Sequence, residues 1–565
     1  MRSRLITWIL LFFVCGYGFA QLSTNELPIS FNEDLTLVVK KRSAVPIATM
    51  PQLNMAAIEK EDREDEDFDI PPRFGYQHKV NYDTNNSGIW YELPNGDKLW
   101  QLNIVCPGAL SVNLCYDKFW IPEGGKFFIY SKDKKYAIGA FTSKNNKGDR
   151  ENIRGFATGL VYGDDVVLEY YQPKEVTTDA IISLNYVIHG YRYISFGDRF
   201  FGDSGDCQVN INCVEGLNWQ YEKKAIALLL LINRVCTGSL LTTTKLSGEP
   251  FFLTANHCIA GLADAVDNPY LDFISLAWNY ESPGCVNPNI APTSFTTSGA
   301  IVVANSAATD FALMRLSEDP KNISGYTPYY LGWDHSGAPG NPGVCIHHPL
   351  MDVKKISTVA FQPTSSEDYI WDGPPIQTHW EVTWAVTENG HGTTEDGSSG
   401  SPLLNATHKV IGQLQAGRYD CTNLNSSSIY GKFNLSWTGI ADSTIHRRLS
   451  CWLDSLGTGQ QAIEGLLVLN EPQIISADKD LYSNIRITNS GQLTIQGNVM
   501  MMGNSSIFVK SGGKLIIDGG TLSNASLILE PGASLQIING GMLETRTGFE
   551  APIGALVEIE DGRIS

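Results

Sequence analysis

The sequence predicts an all-β protein built from several units. In 565 residues there are 53 Gly and 26 Pro, enough to supply many tight turns. The apolar segments are short and alternating, and long amphipathic runs are scarce, which is the pattern of strands rather than helices. At roughly 100 to 200 residues per domain the length implies about three or four units, not one core. With 43% hydrophobic, 10% aromatic and 18% charged residues the chain has ample apolar mass, so wholesale disorder is excluded. Its formal charge of −19 repels phosphate backbones and argues against nucleic acid as a partner.

Residues 1–20 begin with Arg2 and Arg4, continue with an apolar stretch over residues 5–14, and end on the small residues Gly18 and Ala20. This is the pattern of a secretory signal cleaved after Ala20, and its apolar core is shorter than the roughly 20 residues that span a bilayer. The protein is therefore expected to be secreted or displayed at the cell surface, where disulfides persist. Of the 11 cysteines, Cys15 leaves with the signal.

Residues 21–201 form the next unit. The run EKEDREDEDFD at 59–69, followed by Pro71 and Pro72, reads as a solvated acidic linker. Beyond it the segments KLWQLNIVC, FFIYSKD, YAIGAFT and VVLEYY alternate at short spacing, which predicts a β-sandwich in which a Cys106–Cys115 disulfide staples neighbouring strands. Residues 202–466 carry eight cysteines. Here AIALLLLI (225–232) is a buried strand by length, and STIHRRLSCWLDSL (443–456) is the best helix candidate, with a Ser cap and apolar Ile445, Leu449, Trp452 and Leu453. In residues 467–565 the segments SGQLTIQG, GGKLIIDGG and GASLQIINGG place Leu493, Leu515 and Leu535 at intervals of 22 and 20. A repeat near 20 residues predicts a β-solenoid, each rung burying its face on the next.

Three segments of the central unit carry chemistry: FFLTANHC (251–258) ends on His257, TDFALMRL (309–316) opens with Asp310, and DGSSGSPLL (396–404) holds several serines. Alone, each has a bland explanation. Together they supply a hydroxyl, a base to take its proton and a carboxylate to fix the base's tautomer, in the chain order His, Asp, Ser of chymotrypsin-like enzymes. Ser398, Ser399 and Ser401 compete for the nucleophile. The register of a G-x-S-G-[GS]-P loop selects Ser399, with the N–H groups of Gly397 and Ser399 as the oxyanion hole.

Residues 202–466 resemble the bacterial lysyl endopeptidases, secreted trypsin-like serine proteases. The resemblance rests on GDSGDCQVNINCVEG, CTGSLL, FFLTANHC, WNYESPGC, TDFALMRL, LGWD, IHHP, TTEDGSSGSPLL, IGQL, YGKF, SWTG and RRLSCWLDSLGTGQQAIEGL. It implies a chymotrypsin-like double β-barrel, a catalytic trio at His257, Asp310 and Ser399, polypeptide substrates, and the disulfides Cys207–Cys421, Cys213–Cys285 and Cys236–Cys258. Cys345 and Cys451 remain over and are expected to pair. Through PRFG, LWQLNIVCPGALSVNL, IGAFT and GDDVVLEYY, residues 21–201 resemble the propeptides of such enzymes.

The chain departs from the family at the substrate pocket. Lysine preference there rests on an acidic residue two places before a Tyr-Gly pair; the pair is Tyr430-Gly431 and two places back stands Ser428. Gln415 replaces the family's histidine after Gly-Gln-Leu, whereas Trp371 matches its pocket tryptophan. The expected pocket of Ser428, Gln415, Thr394, Gly417 and Trp371 is uncharged, with Asp420 nearby, and argues against lysine specificity, because a buried ammonium needs a partner; an uncharged or mixed preference is expected, with lysine or arginine as the alternative. Ser398 stands where digestive trypsin-like enzymes carry the aspartate that pairs with a new N-terminus. The pro-region is therefore expected to act as folding aid and latch, an intramolecular inhibitor removed after Arg199 or Phe201. The alternative is an idle protease-like module for binding or adhesion. The tail is expected to contact a cell surface, carbohydrate or secretion machinery, or to serve as a spacer. His347 and His348 point in different directions on a strand and are read as structural. No cofactor and no metal are expected.

Overall fold

The computed structural model describes residues 26–32, 44–66, 70–192, 204–287, 295–366, 377–417, 421–423, 425–440 and 444–565. The expected signal segment, the expected processing boundary at Arg199 to Phe201, Trp371 and Asp420 lie outside the described residues. The fold is all-β, as its turn-rich composition implies.

The described part of residues 21–201, the expected pro-region, forms a sandwich. One sheet centres on Lys98–Val105, Asp165–Gln172 and Lys126–Ser131, the other on Gly75–Asp83, Ile181–Gly190 and Ser111–Trp120. Period-2 alternation decides which side chains meet between them: Trp100, Leu102 and Ile104 from one sheet face Val112, Leu114 and Tyr116 from the other. The same alternation corrects the expected Cys106–Cys115 disulfide. Cys106 lies in the core between the sheets, but Cys115 falls between Leu114 and Tyr116 and points out of the opposite face. Both are free, buried thiols, and burial pushes each up to about 12.

That opposite face is not solvent. Phe74, Cys115, Ala157 and Ile188 of the sandwich share one apolar core with Leu228, Leu230 and Val235 of the central unit. Polar contacts frame it: Arg154 Nη2 pairs with Asp272 at 2.6 Å, Lys147 Nζ donates to Ser298 Oγ at 3.0 Å and Asn145 Nδ2 to Glu318 Oε1 at 2.8 Å.

The run at 59–69 is not a solvated linker over its described part, which is a correction. Met55–Glu66 is a helix, and Asp62 and Asp65, three residues apart, fall on one face of it. Asp62 is 3% exposed and pairs with Arg73 (2.8 Å) and Arg192 (2.5 Å), while Asp65 pairs with Arg234 (2.8 Å). Charge density alone gives no sign of these cationic partners, of which Arg192 and Arg234 lie more than a hundred residues away.

The central unit has two lobes. In the first, Ile226–Leu231, Arg234–Leu241, Phe251–Ala255, Phe311–Leu316, Phe295–Ser306 and Tyr270–Trp278 close into a barrel in that spatial order. Every residue of Ile226–Leu231 is buried, as its unbroken apolar run requires. The second lobe is a ten-stranded sheet containing Pro342–His347, Pro402–Asn405, Lys409–Gly417, Ser427–Lys432 and His379–Thr383. The bridges Cys207–Cys421, Cys213–Cys285 and Cys236–Cys258 are formed. Cys345 and Cys451 are not paired, contrary to expectation. Cys345 is buried in the second lobe with its sulfur 3.2 Å from Ser401 Oγ, and Cys451 accepts from Arg448 Nε at 3.0 Å.

The helix expected over 443–456 is broken into a 3₁₀ turn, Ile445–Arg447, and one α-turn, Ser450–Leu453. Tertiary bonds account for the break: Leu449 N–H donates to Ser436 O at 2.9 Å, Arg447 binds Asp264 at 3.0 Å, and Arg448 between them is extended.

The tail is a parallel β-solenoid. Leu493 pairs with Leu515, and Leu515 with Leu535, so the leucines read from the repeat stack in register. Its first strand, Gly465–Leu469, straddles the expected boundary at 466/467 and pairs antiparallel with Tyr329–Tyr330 of the central unit. The core of the tail is continuous with that of the barrel.

Candidate active site

The site lies at the rim of the barrel, where two paired strands end together. Ala255 is the register partner of Phe311, so His257 and Asp310 emerge side by side. Asn256 N–H donates to Asp310 O at 2.8 Å and fixes the two turns to each other. Asp310 adopts φ +53°, a conformation costly for a residue with a Cβ and held here by its surroundings. One carboxylate oxygen accepts the His257 backbone N–H at 2.8 Å, and the other lies 2.7 Å from His257 Nδ1. The ring is thereby oriented, its Nδ1 proton is fixed, and Nε2 is left as the base. The Asp310 side chain is 5% exposed and that of His257 15%, so the pair is shielded but reachable.

The serine loop is positioned through two glycines. Gly397 and Gly400 have φ of +85° and +83°. A Cβ on Gly400 would stand 2.2 Å from Thr254 Oγ1 and 2.4 Å from Thr237 O, so the loop approaches the barrel as only glycine allows. Thr237 clamps it by donating twice, its N–H to Ser399 O at 2.8 Å and its Oγ1 to Gly397 O at 2.8 Å, while it accepts the His348 N–H on Oγ1 at 3.1 Å and the Thr254 hydroxyl on its carbonyl at 2.8 Å. The Cys236–Cys258 bridge lies directly beneath, its Cys258 sulfur 3.8 Å from Ser399 O. Among the described residues, the N–H groups of Gly397 and Ser399 have no hydrogen-bond partner, whereas the flanking Ser398, Gly400 and Ser401 amides are all bonded. His257, Gly397, Ser399, Thr394, Gln415 and Gly417 line one cleft. Three residues far apart in sequence, His257, Asp310 and Ser399, thus come together, with two spare amides beside them.

The hydroxyl of Ser398, next to Ser399, is held by His347. Nδ1 of His347 lies 2.8 Å from Ser398 Oγ and Nε2 lies 3.0 Å from Ser357 Oγ. Ser398 Oγ also accepts the Glu395 N–H at 3.2 Å. His347 is therefore a positioning residue for the loop. The sequence offered only the IHHP run, which says nothing about what the ring faces. Burial and the nearby Lys355 push His347 down to about 3, so it is neutral when folded. In the unfolded chain it titrates near its ordinary value, so between about pH 6.5 and pH 3 the unfolded state binds more protons and the folded state loses stability as pH falls. At pH 5 this residue accounts for about 2 kcal/mol. Denaturant unfolding of the unsubstituted protein and His347→Gln at pH 7 and pH 5 checks this: the variant should lose correspondingly less on acidification, and equal losses would exclude His347 as a source.

The pocket residues divide in two. Thr394, Gln415 and Gly417 line the cleft, whereas Ser428 sits behind them, fully buried, with its hydroxyl 2.7 Å from Thr394 Oγ1 and accepting Trp384 Nε1–H at 3.3 Å. A Cβ on Gly417 would meet Thr394 Oγ1 at 2.4 Å and Ser428 Oγ at 2.8 Å, so this floor is closed by small neutral groups. Glu395 lies on the cleft's border, but its carboxylate is turned away onto Gly205 N–H (3.0 Å) and Gln208 Nε2 (2.9 Å), tying the start of the unit to the serine loop. Glu395 is not legible in the sequence, because its partners lie nearly two hundred residues away. Among the described residues, Cys236, His257 and Cys258 cluster as metal-type donors, but both sulfurs are spent in their disulfide.

Residues 201–431 match the family model described as lysyl endopeptidase, C-terminal domain. A lysyl endopeptidase of Pseudomonas aeruginosa is 26% identical over 280 residues, which cover 47% of this chain and 57% of that protein. The chain thus spans a little over half the length of that relative. Among solved structures, the inactive form of the Rv3671c protease of M. tuberculosis is 12% identical with a TM-score of 0.27, over 40% of this chain and 93% of that one. An HtrA-type protease, AlgW, bound to a tripeptide is 15% identical with a TM-score of 0.27, over 39% and 60% of the two chains.

Proposed function

We propose, from the premise that the central unit is lysyl-endopeptidase-like, that this chain is an exported serine endopeptidase made as an inactive precursor. One observation carries the reading: a single carboxylate, Asp310, holds both the backbone and the ring of His257, and His257 shares a cleft with Ser399 and two unspent amides. In this reading Ser399 Oγ attacks the substrate carbonyl carbon as its proton passes to His257 Nε2. The carbonyl oxygen, now negative, is received by the N–H groups of Gly397 and Ser399, each worth about 10²- to 10³-fold in rate. Collapse breaks the C–N bond, the departing amine takes the proton from His257, and an ester on Ser399 remains. Water then repeats the sequence, releasing the carboxylic acid and restoring the serine.

The neutral floor of Thr394, Ser428 and Gly417 supports cleavage after uncharged side chains. A lysine ammonium at that floor would lose its water shell with no carboxylate directly against it, a penalty of roughly 3 kcal/mol or more. Of the two acids that line the cleft, Glu395 is tied to Gly205 and Gln208, and Asp396 stands beside the serine loop rather than on the floor formed by Thr394, Ser428 and Gly417. The pro-region sandwich, sharing its core with the barrel, supports a role as folding partner and inhibitor. A fluorophosphonate, which forms a stable ester with an activated serine, tests the enzyme reading. The processed protein should take up one label, mapped by mass spectrometry to the peptide holding Ser399 and absent from Ser399→Ala; an unlabelled processed protein would favour an idle module.

A further inference from the structure

The pro-region reaches into the candidate active site itself. Ile70, Pro71 and Pro72 line the same cleft as His257, Gly397 and Ser399, and Pro71 is buried there. The segment is held on both sides. Upstream, Asp65 of the acidic helix pairs with Arg234, whose guanidinium also donates to the carbonyl of Pro71 at 2.5 Å. Asp62 accepts from Arg73 Nε at 2.8 Å and from Tyr191 Oη at 2.9 Å. Downstream, Val235 N–H donates to Pro72 O at 3.0 Å, Phe74 N–H donates to Asn233 O at 2.9 Å, and Arg73 and Arg234 are antiparallel bridge partners. Phe74 is fully buried in the core shared by the two units. The segment has therefore added itself as a short strand to the barrel edge that leads, through Val235 and Cys236, to the disulfide beside His257. Backbone pairing of this kind is how an extended peptide docks on an exposed sheet edge.

Resting on the endopeptidase reading above, we propose that Ile70-Pro71-Pro72 is a plug seated on the leaving-group side of the cleft, with Pro71 buried, Ile70 exposed at the mouth and the Gly397 and Ser399 amides left unspent, and that its prolines keep it from being cut. The chain direction places Pro71 and Pro72 on the carboxyl side of the Ile70–Pro71 bond, against the Val235 edge. The nitrogen of that bond belongs to a ring. It carries no hydrogen, its φ is locked near −65°, and the ring carbon occupies the space in which His257 must deliver a proton to a departing amine. An adduct with Ser399 then has one exit: the C–O bond to Ser399 breaks again, the proton returns from His257 to the serine, and the peptide is restored. The residue before a proline is also biased to the extended conformation, which suits a strand lying in a cleft.

The arrangement makes latency steric. With the pro-region attached, Asp310 already holds His257, His347 already holds Ser398, and the Gly397 and Ser399 amides are already unspent. Removing the plug requires no rebuilding of the loop and no new ion pair. It also gives the acidic helix a task, since its carboxylates fix the arginines that grip the plug.

Two measurements on the full-length chain test this. In Pro71→Ala, the protein is expected to cut itself between residues 70 and 71, giving a new N-terminus at position 71 that is absent from the Pro71→Ala, Ser399→Ala double variant. A folded Pro71→Ala chain that cleaves added peptides but leaves this bond whole would overturn the proposal. The second readout needs no catalysis. In Ser399→Cys, iodoacetamide alkylation of the 399 peptide, followed by mass spectrometry, is expected to be at least about tenfold slower with the native plug than with residues 70–72 replaced by glycines, because the plug narrows access to residue 399, which is only partly exposed beside it. Equal alkylation rates would overturn the plug even if the chain proved catalytically idle, and slow alkylation in a chain that fluorophosphonate does not label would uphold the plug while rejecting the endopeptidase reading.

Discussion

Asp310→Asn is expected to lower kcat by about 10⁴-fold while leaving the protein folded and KM little changed. The amide keeps the shape of the carboxylate and its oxygen still accepts the His257 backbone N–H, now 2.8 Å away. Its NH₂ then faces Nδ1, so the ring must carry its proton on Nε2, where the serine proton has to go. The imidazolium formed on attack also loses the negative charge 2.7 Å from it. Steady-state kinetics on a peptide substrate, with circular dichroism to confirm folding, give the answer. A loss of less than about tenfold would mean that Asp310 holds His257 for structural reasons and that the chemistry lies elsewhere.

Ser428→Asp is expected to convert the pocket. Ser428 lies beneath the cleft floor within reach of two groups able to donate to a carboxylate, Thr394 Oγ1 at 2.7 Å and Trp384 Nε1 at 3.3 Å. A carboxylate there supplies the partner that a lysine or arginine ammonium lacks in the native pocket. The ratio of kcat/KM for cleavage after Lys or Arg to that after neutral residues should rise by about 10²- to 10³-fold, equivalent to roughly 3 to 4 kcal/mol for a close, desolvated charge pair. The isosteric control Ser428→Asn should leave the ratio unchanged, and thermal unfolding shows whether either variant remains folded. An unaltered preference in a folded Ser428→Asp would place the specificity determinant nearer the rim, at Gln415 or Thr394.

Much of this architecture is legible in the sequence because local rules act on it directly. Leu493, Leu515 and Leu535 repeat at a fixed interval, and a solenoid stacks whatever repeats. The apolar run 226–231 has no polar face, so it must be buried on both sides. The order of His257, Asp310 and Ser399 is readable because one kind of chemistry needs those three groups, and two paired strand ends and one glycine-hinged loop bring them to a single cleft.

What was not legible depends on partners distant in sequence. Residues 59–66 read as solvated because charge usually is, and nothing local reveals that Arg73, Arg192 and Arg234 gather on one face of the helix they form. Cys106 and Cys115 look pairable at nine residues apart, yet Cys106 sits just past a strand of one sheet, in the core between the sheets, whereas strand parity turns Cys115 of the other sheet away from that core. Cys345 and Cys451 were matched by remainder, a count that ignores that one is sealed within the second lobe and the other sits on a terminal turn. The helix over 443–456 lost to tertiary bonds at Arg447 and Leu449 that its intrinsic pattern does not contain. Glu395 and the hold of His347 on the serine loop are illegible for the same reason, since what matters in each is the group it faces.

The most direct test of the account is a cleavage-site profile of the processed, unsubstituted protein on a mixed peptide library, read by mass spectrometry. A neutral pocket joined to a working Ser399 predicts cuts that depend on Ser399 and fall after uncharged residues. Cuts falling predominantly after lysine would contradict the pocket, and the absence of any Ser399-dependent cut would contradict the endopeptidase.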